Sequence, residues 1–464
     1  MTQAFGDDQF ERELRAVLRD RAEEIASRAH STAEMTTVIT PRLVPTAGAR
    51  RREALLRLAF VAIVALLLVV AAIAIGTRPA PPPLKLLLAV DVPLQGEPGA
   101  PSTVDAVKLA LRDVPAIRSV TLELPPSGVY DDSVRGSADP DKGAQNMASI
   151  AADPRYVAVI GPYHSFVARA TIPVTNAAGL LECSPTNTAP GLTRGDAAAA
   201  IRPRPDRPNY VRVASNDDAA ATAAARLLFG VLEKRSVFVV TTTEPFAGGR
   251  SLTFIDAFAG LGGAVVGTGA VGDGGDAPAV VARQIEGSKA DSVFFDGPSS
   301  LGGSVLAALS GPAASMPFVG LDIIIDGPPS VAGSFMQAAG AHADDAYGVF
   351  PTGIDPTFGP PVQAAYRAAY GQQASNFDLS SYACTSVILD ALRRLDASHL
   401  ADLADWREAL RAEVTAPGQA YDTAVGTIAF DANGDAAPQR VSIYRGDPTG
   451  NWTFWQMLEL PPGS

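Results

Sequence analysis

At 464 residues and 47% hydrophobic content the chain is globular in composition, long enough for one to three domains and a sizeable core. Its formal net charge is −12. Residues up to Arg57 carry 10 basic and 9 acidic side chains, so the remainder holds 27 and 40, a balance that argues against a nucleic-acid surface. An anionic ligand stays open, because a helix dipole acts locally.

In chain order, residues 10–29 place Phe10, Leu14, Val17 or Leu18 and Ile25 among charges, the pattern of one amphipathic helix. Such a helix could dock a cytoplasmic partner or simply be solvated. Residues 31–48 are rich in Thr and Pro and read as disordered. Residues 58–77 contain no charged side chain and are almost wholly aliphatic. At ~1.5 Å per residue such a run spans the ~30 Å bilayer core. It is longer than the apolar part of a cleaved signal peptide and follows a tail that such peptides lack, so we expect a single transmembrane anchor. Arg50, Arg51, Arg52 and Arg57 flank its start and Arg78 alone follows it. The positive-inside rule then makes residues 1–57 a cytoplasmic tail and puts the large domain outside the cell membrane. Residues 78–83 are a stiff Pro-rich spacer. No Cys lies near the run, so lipoprotein attachment is not expected.

From residue 84 strands and helices alternate. Strands are expected at 84–92, 119–124, 156–160 and 180–183, with helices at 102–112, 142–152 and 166–178. Ser165 stands where the N-cap of the last helix should be, and Gly179 is its stop. Ser184 to Pro190 then crowds Ser, Thr, Asn and Thr into one turn. The Gly161–Ser165 loop and this turn both leave the carboxyl ends of neighbouring strands, where open α/β sheets bind ligands. Free N–H groups at a helix start, with a hydroxyl beside them, favour an anion such as a carboxylate.

Further on, strands are expected at 236–241, 264–266, 291–295 and 317–320. The helices between them fall at 219–234, 250–259, 277–286 and 301–309. Three more helices follow at 358–369, 379–395 and 403–413. Residues 427–430 and 440–444 read as a closing hairpin across Asn433-Gly434. The fold class is α/β, with two doubly wound Rossmann-like lobes after one transmembrane helix.

Two motifs in this chain resemble the type I periplasmic binding proteins of the leucine/isoleucine/valine-binding branch: Ile160-Gly161-Pro162-Tyr163-His164-Ser165 and Ser184-Pro185-Thr186-Asn187-Thr188-Ala189-Pro190. The likeness continues in order through LLAVDVPLQG at 87–96, YVRVASNDDAAATAAARLLF at 210–229, VFVVTTTEPFAGG at 237–249 and GTIAFDANGD at 426–435. It covers residue 84 to the C-terminus. It implies lobes joined by a multi-strand hinge, with lobe 1 at about 84–213 and 350–427 and lobe 2 at about 214–349 and 428–464. It also implies hinge closure on a small amino-acid-like ligand delivered to an ABC permease. Ser165, Thr186 and Thr188 then hold the ligand carboxylate, with Asn187 as a further ligand-binding residue. Asp322, in Phe318-Val-Gly320-Leu-Asp322, holds the ammonium, with Asp326 as a neighbouring alternative. Phe246 stands where the family has Tyr. The family's aromatic near Asp296-Gly297-Pro298-Ser299 is missing here.

Other signals fail on context. Gly267-Thr-Gly269-Ala-Val-Gly272 spells a dinucleotide fingerprint but does not open a helix, so a flexible loop is expected. Asp431-Ala-Asn433-Gly-Asp435 starts like a calcium loop but has Ala436 and Ser442 where Gly and Glu belong; a turn is expected. No nucleophile or zinc-protease motif is present, so we expect no enzyme, no cofactor and no metal. His164 points into the cleft or is merely exposed. Cys183 and Cys384 have no metal-like spacing and read as two small buried hydrophobes, although an extracytoplasmic setting permits a disulfide. A receptor or scaffold domain that kept the fold and changed or lost its ligand is the alternative function.

Overall fold

The structure, a computed structural model, describes residues 56–66, 83–97, 99–113, 117, 119–243, 245–321, 330, 332–353, 359–396, 400 and 402–460. The chain divides into one unit from Met1 to Pro81 and a compact second unit from Pro82 to Ser464. In the first unit residues 56–66 form a helix with Leu56, Phe60 and Ile63 exposed. That length covers about half of a ~30 Å bilayer core. Among the described residues no helix is long and apolar enough to cross a membrane. Residues 10–29, 31–48 and 67–77, where the tail helix, the disordered stretch and the rest of the anchor are expected, lie outside the described residues.

The second unit begins with β1 (Leu84–Val92), α1 (Ala100–Asp113), β2 (Val120–Glu123), β3 (Val129–Asp131), and the short β4 (Ser133–Val134) and β5 (Ser137–Ala138). It continues with α2 (Pro140–Ala152), β6 (Tyr156–Ile160), α3 (Ser165–Ala178), β7 (Leu181–Ser184), α4 (Gly195–Ala200) and β8 (Tyr210–Arg212). Then come α5 (Asp217–Arg226), β9 (Ser236–Thr241), α6 (Pro245–Gly260), β10 (Ala264–Ala270), α7 (Pro278–Ser288), β11 (Ser292–Asp296), α8 (Ser299–Ala308) and β12 (Phe318–Leu321). The chain closes with α9 (Phe335–Ala339), β13 (Ala346–Phe350), α10 (Gly359–Tyr370), α11 (Asn376–Leu395), α12 (Leu403–Val414), β14 (Ala420–Thr423), β15 (Gly426–Phe430), β16 (Ala436–Ala437), β17 (Gln439–Gly446) and β18 (Trp452–Leu460).

The first sheet has the order β2-β1-β6-β7-β8, with β3 also on β1, and every pairing is parallel. β1 is apolar on both faces because helices cover both. Leu86, Leu88 and Val90 pack with Val107 of α1, Ile388 of α11 and Trp406 of α12. Leu87 and Ala89 pack the other way, onto Met147 and Ile150 of α2. The second sheet runs β10-β9-β11-β12-β13-β17-β18, parallel up to β13 and antiparallel beyond it. The alanine face of α5 and Phe254 and Phe258 of α6 cover one side of it. Val281 and Ile285 of α7, Val305 of α8 and Phe335 of α9 cover the other.

Three chain crossings join the two layered bodies, and they are bonded side by side. Ser215 N–H donates to the Pro351 carbonyl at 2.6 Å, and the Ser215 hydroxyl donates to the Arg440 carbonyl at 2.8 Å. Asn216 N–H donates to Gln439 Oε1 at 3.0 Å.

Four expectations are corrected. Residues 427–430 and 440–444 do not form one hairpin: β15 turns only onto β16, and β17 then crosses to pair with β13 and β18. The Asp431–Asp435 segment is nonetheless a turn, closed by Asp431 N–H to the Asp435 carbonyl at 2.9 Å. Gly267 to Ala270 is no flexible loop but the second half of the edge strand β10, held by β9. Ser165 is the first residue inside α3; His164 is the cap residue. Cys183 and Cys384 are bonded, their Cα atoms 5.9 Å apart across 201 residues of sequence. Packing of α11 on β7 makes that pair, and no local spacing announces it. Closing so long a loop restricts the unfolded chain by about 5 kcal/mol in the chain-entropy account. β13 and β18 lie outside the expected strands, although Asp447-Pro448-Thr449-Gly450-Asn451 is a legible turn before β18 and closes with Asp447 N–H on the Asn451 carbonyl at 2.9 Å.

Candidate functional site

The candidate site is built from two loops at the carboxyl ends of β6 and β7. Gly161 lets β6 end hard against β1: its φ is 120°, and a Cβ there would stand 2.1 Å from the Asp91 carbonyl oxygen. Tyr163 and His164 follow, and α3 opens with Ser165. Of the first-turn N–H groups of α3, those of Val167 and Ala168 donate to the His164 carbonyl at 3.1 and 3.0 Å, and those of Ser165 and Phe166, ahead of them, face out from the positive pole of the helix.

The second loop folds on itself and then onto the first. The Ser184 hydroxyl accepts from Asn187 N–H at 3.0 Å. Thr186 donates its hydroxyl to the Tyr163 carbonyl, and Asn187 Nδ2 donates to the Pro162 and Tyr163 carbonyls at 3.1 and 2.9 Å. Asn187 Oδ1 accepts from the Tyr210 hydroxyl at 3.0 Å. Thr186 and Asn187 are thus buried and spent on holding the loops together. The Ser165 hydroxyl accepts from the N–H groups of Thr188 and Ala189 at 3.2 and 3.3 Å. Its own proton is committed to no acceptor among the described residues. Thr188 is half-buried; its carbonyl accepts from Asp217 N–H at 2.9 Å, at the start of α5, and its hydroxyl is unengaged among the described residues. Ser165 and Thr188 are therefore the two hydroxyls of this pair of loops that can still donate to a ligand.

Aromatic rings extend the wall from these loops toward the second sheet. Tyr163 meets Phe377, at the start of α11, with centroids 5.6 Å apart; Phe377 meets Phe350 at 4.9 Å, and Phe350 meets Tyr444 of β17 at 6.4 Å. The Tyr444 hydroxyl donates to Asn376 Oδ1 at 2.8 Å. His164 stacks on Phe166 and lies 3.4 Å from Glu97. None of Phe350, Phe377 and Tyr444 was expected here. Each is a solitary ring in its local pattern, and only the crossing of three chain segments assembles them.

The back of the second loop rests on a buried ion pair. Arg212 Nε bonds Asp435 Oδ1 at 2.7 Å, and neither side chain is exposed. The Arg212 guanidinium also donates to the carbonyls of Asn187 and Ala189 and to Thr193 Oγ1. Asp435 takes Arg194 Nε as well, at 2.8 Å. Burial pushes the Asp435 carboxyl up, but the Arg212 charge and its hydrogen bonds outweigh this and hold it below the usual range.

On the second sheet, Asp296 ends β11 where an aromatic is missing. Its carboxylate is buried and paired in a fork by Arg250 of α6, with Nε to Oδ2 at 3.2 Å and a second bond from Nη2. Arg250 Nη1 also lies 3.7 Å from Asp217 Oδ1. Asp322 follows the end of β12 but lies, with Asp326, outside the described residues. The same holds for the side chain of Phe246, whose backbone is in the first turn of α6. A cavity of about 550 Å³, lined by Tyr382, Ser386, Asp390, Arg394 and Thr423, is elsewhere. Asp390 sits about 20 Å further along α11 than Phe377. Arg394 in it is already held by Asp390, the Ala420 carbonyl and the ring of Tyr421, so we read it as a surface groove.

A family model described as Periplasmic binding protein matches residues 93–451. A Leu/Ile/Val-binding protein, BraC3, of Rhizobium johnstonii is 26% identical over 289 residues, covering 62% of this chain and 72% of that protein. Among solved structures, an ABC transporter substrate-binding protein from Desulfitobacterium hafniense in complex with Leu has a TM-score of 0.63 at 17% identity, covering 80% of this chain and 100% of that one. A solute-binding protein of R. palustris in complex with benzoate has a TM-score of 0.60 at 15% identity, covering 82% and 98%. The structural likeness speaks for the fold, and the matched proteins are substrate-binding proteins, not enzymes.

Proposed function

Because the chain belongs to the periplasmic binding protein family, in its type I, leucine/isoleucine/valine-binding branch, we propose that it is an extracytoplasmic solute-binding protein, anchored by residues 58–77, whose two lobes close on a small amino-acid-like ligand for ABC-type uptake. The observation that carries this reading is the pair of loops in which Ser165 and Thr188 keep donating hydroxyls beside the positive start of α3. A carboxylate fits that setting. In this proposal Thr186 and Asn187 shape the subsite, Asp322 takes the ammonium, and Phe246 stacks on the ligand. The lobes divide at about 84–213 with 350–427 and 214–349 with 428–464. The leucine and benzoate bound by the two structural neighbours make amino acids and aromatic carboxylates the first ligands to try.

A thermal-shift screen with these compounds tests the reading, since a ligand of the native state raises stability by mass action. With the ligand so found, Asp322→Ala should weaken binding by about 2–5 kcal/mol, by leaving an ammonium without its partner. Ser165→Ala should cost less, roughly 0.5–3 kcal/mol. Isothermal titration decides; parental affinity in Asp322→Ala would remove the amino-acid reading.

The anchor and orientation rest on the apolar run and its arginines. Residues 10–29 would face a cytoplasmic partner and the large domain an ABC permease. Protease added to intact spheroplasts should digest the large domain and spare the tail; a processed domain released into the medium would refute the anchor. A second reading, a sensing or scaffold receptor, is favoured by the Arg250–Asp296 pair where the branch has an aromatic. It predicts that no compound of the screen shifts the melting temperature.

A further inference from the structure

Open α/β sheets bind ligands beyond the carboxyl ends of their strands, and in this protein a row of rings joins two such ends. Tyr163 follows β6 of the first sheet, and Phe350 ends β13 of the second. Phe377 lies between them, edge-on to Tyr163 at 5.6 Å and tilted against Phe350 at 4.9 Å. Tyr444 of β17 stands opposite Gly348 of β13, which offers no side chain. Its ring meets Phe350 instead, two residues on and on the same face, at 6.4 Å. The row therefore runs along the chain crossings, from the Ser165 loop to the second sheet.

Two of these rings are fixed from outside the row. The Tyr163 carbonyl accepts from Thr186 and Asn187, and its phenol end lies over Gly99, where a Cβ would stand 3.2 Å from the hydroxyl oxygen. Phe377 is in the first turn of α11, which Ser375 and Asp378 close with a reciprocal cap. Ser102 of α1 pins that cap by donating to Asp378 Oδ1 at 2.7 Å. Phe350 is buried, but Tyr163, Phe377 and Tyr444 are only half-buried. Rings held by their neighbours and left half open beside an anion site complete their burial best against a flat apolar guest. The second sheet offers no ring at the end of β11: Asp296 stands there, already forked by Arg250.

We propose that Tyr163 and Phe377 are specificity-determining residues, which select a carboxylate bearing a flat aromatic group over one bearing an aliphatic group. The proposal rests on the solute-binding reading above. With a carboxylate at Ser165 and Thr188, the rest of a small ligand lies beside Tyr163, two residues before Ser165. An aromatic group there extends the row through further edge-on or tilted contacts, at the ~4.5–7 Å centroid spacing that such pairs favour. An aliphatic group covers the same rings without that electrostatic match.

The test is isothermal titration of the full-length chain in detergent with two matched pairs, benzoate against cyclohexanecarboxylate and L-phenylalanine against L-leucine. In whichever pair binds, the aromatic member should bind roughly three- to tenfold more tightly. Phe377→Leu should bring that ratio close to one. Tyr163→Leu is read in the same way if Phe377→Leu does not fold. Phe454→Leu, which alters an exposed ring of β18, should keep the parent's ratio. The proposal is overturned, with the solute-binding reading intact, if the aliphatic member binds as tightly as the aromatic one, or if the Phe377 and Tyr163 variants keep the parent's ratio. Binding of none of the four compounds would overturn the carboxylate site itself, and this selectivity with it.

Discussion

Raising the pH from about 5 to about 9 lowers the stability of this protein, and Glu182→Gln removes most of that fall. Glu182 is fully buried in β7. Burial pushes its carboxyl up to about 8, against a smaller downward pull from the hydroxyls of Thr175 and Thr171 and from Arg202. The sign follows from where each state loses its proton. Below the ordinary glutamate range both states are protonated and the contribution is whole. As the pH rises the unfolded chain ionises first, while the folded protein keeps its proton until about 8. Stability is lost across that window, on the order of 5 kcal/mol in all. Asp132, pushed up to about 6 by burial, acts in the same direction over a lower range. Gln keeps the size and an acceptor oxygen but carries no proton to lose. Urea midpoints of parent and variant at several pH values isolate the effect, because every other group is common to both. Parallel profiles would show that Glu182 is not the source.

Asp435→Ala destabilises the protein by about 3–5 kcal/mol and weakens ligand binding with it. The loss leaves the Arg212 guanidinium fully buried without its counter-ion. Arg212 is also what holds the Asn187 and Ala189 carbonyls behind the second loop, so disorder there spreads to Thr188. The control is Asp431→Ala. Asp431 pairs with the same Arg194 that reaches Asp435, but at 3.3 Å and with both side chains about a third exposed, and its Oδ1 accepts from the N–H groups of Asn433 and Asp435 at 2.9 and 3.0 Å, so its loss should cost about 1–2 kcal/mol, less than that of Asp435. Replacing Arg212 and Asp435 together by Met and Leu should recover part of the stability. A denaturation midpoint for Asp435→Ala within that of the Asp431 variant would show that the pair contributes little.

What the sequence by itself determined is what short-range physics can carry. The buried run of β1, the glycine that ends α3 at φ 67° and the two loops at the ends of β6 and β7 all follow from apolar runs and turn residues a few positions apart. That these two loops lie side by side follows for the same reason, since they leave adjacent parallel strands; Ser165 and Thr188 within them are singled out by their likeness to the family's motifs. The tertiary structure alone decided what each side chain is spent on. Thr186 and Asn187 have the chemistry of ligand contacts, yet they close on the Tyr163 carbonyl because the first loop stands within reach. Cys183 finds Cys384, Arg212 finds Asp435 and Arg250 finds Asp296 across separations that no periodicity spans. β17 reads as the return strand of a hairpin, but its free edge is completed by β13 and β18 of the other sheet. Local pattern fixes which face of an element is buried; the partner on that face is set by which distant segment fills the volume and satisfies its polar groups.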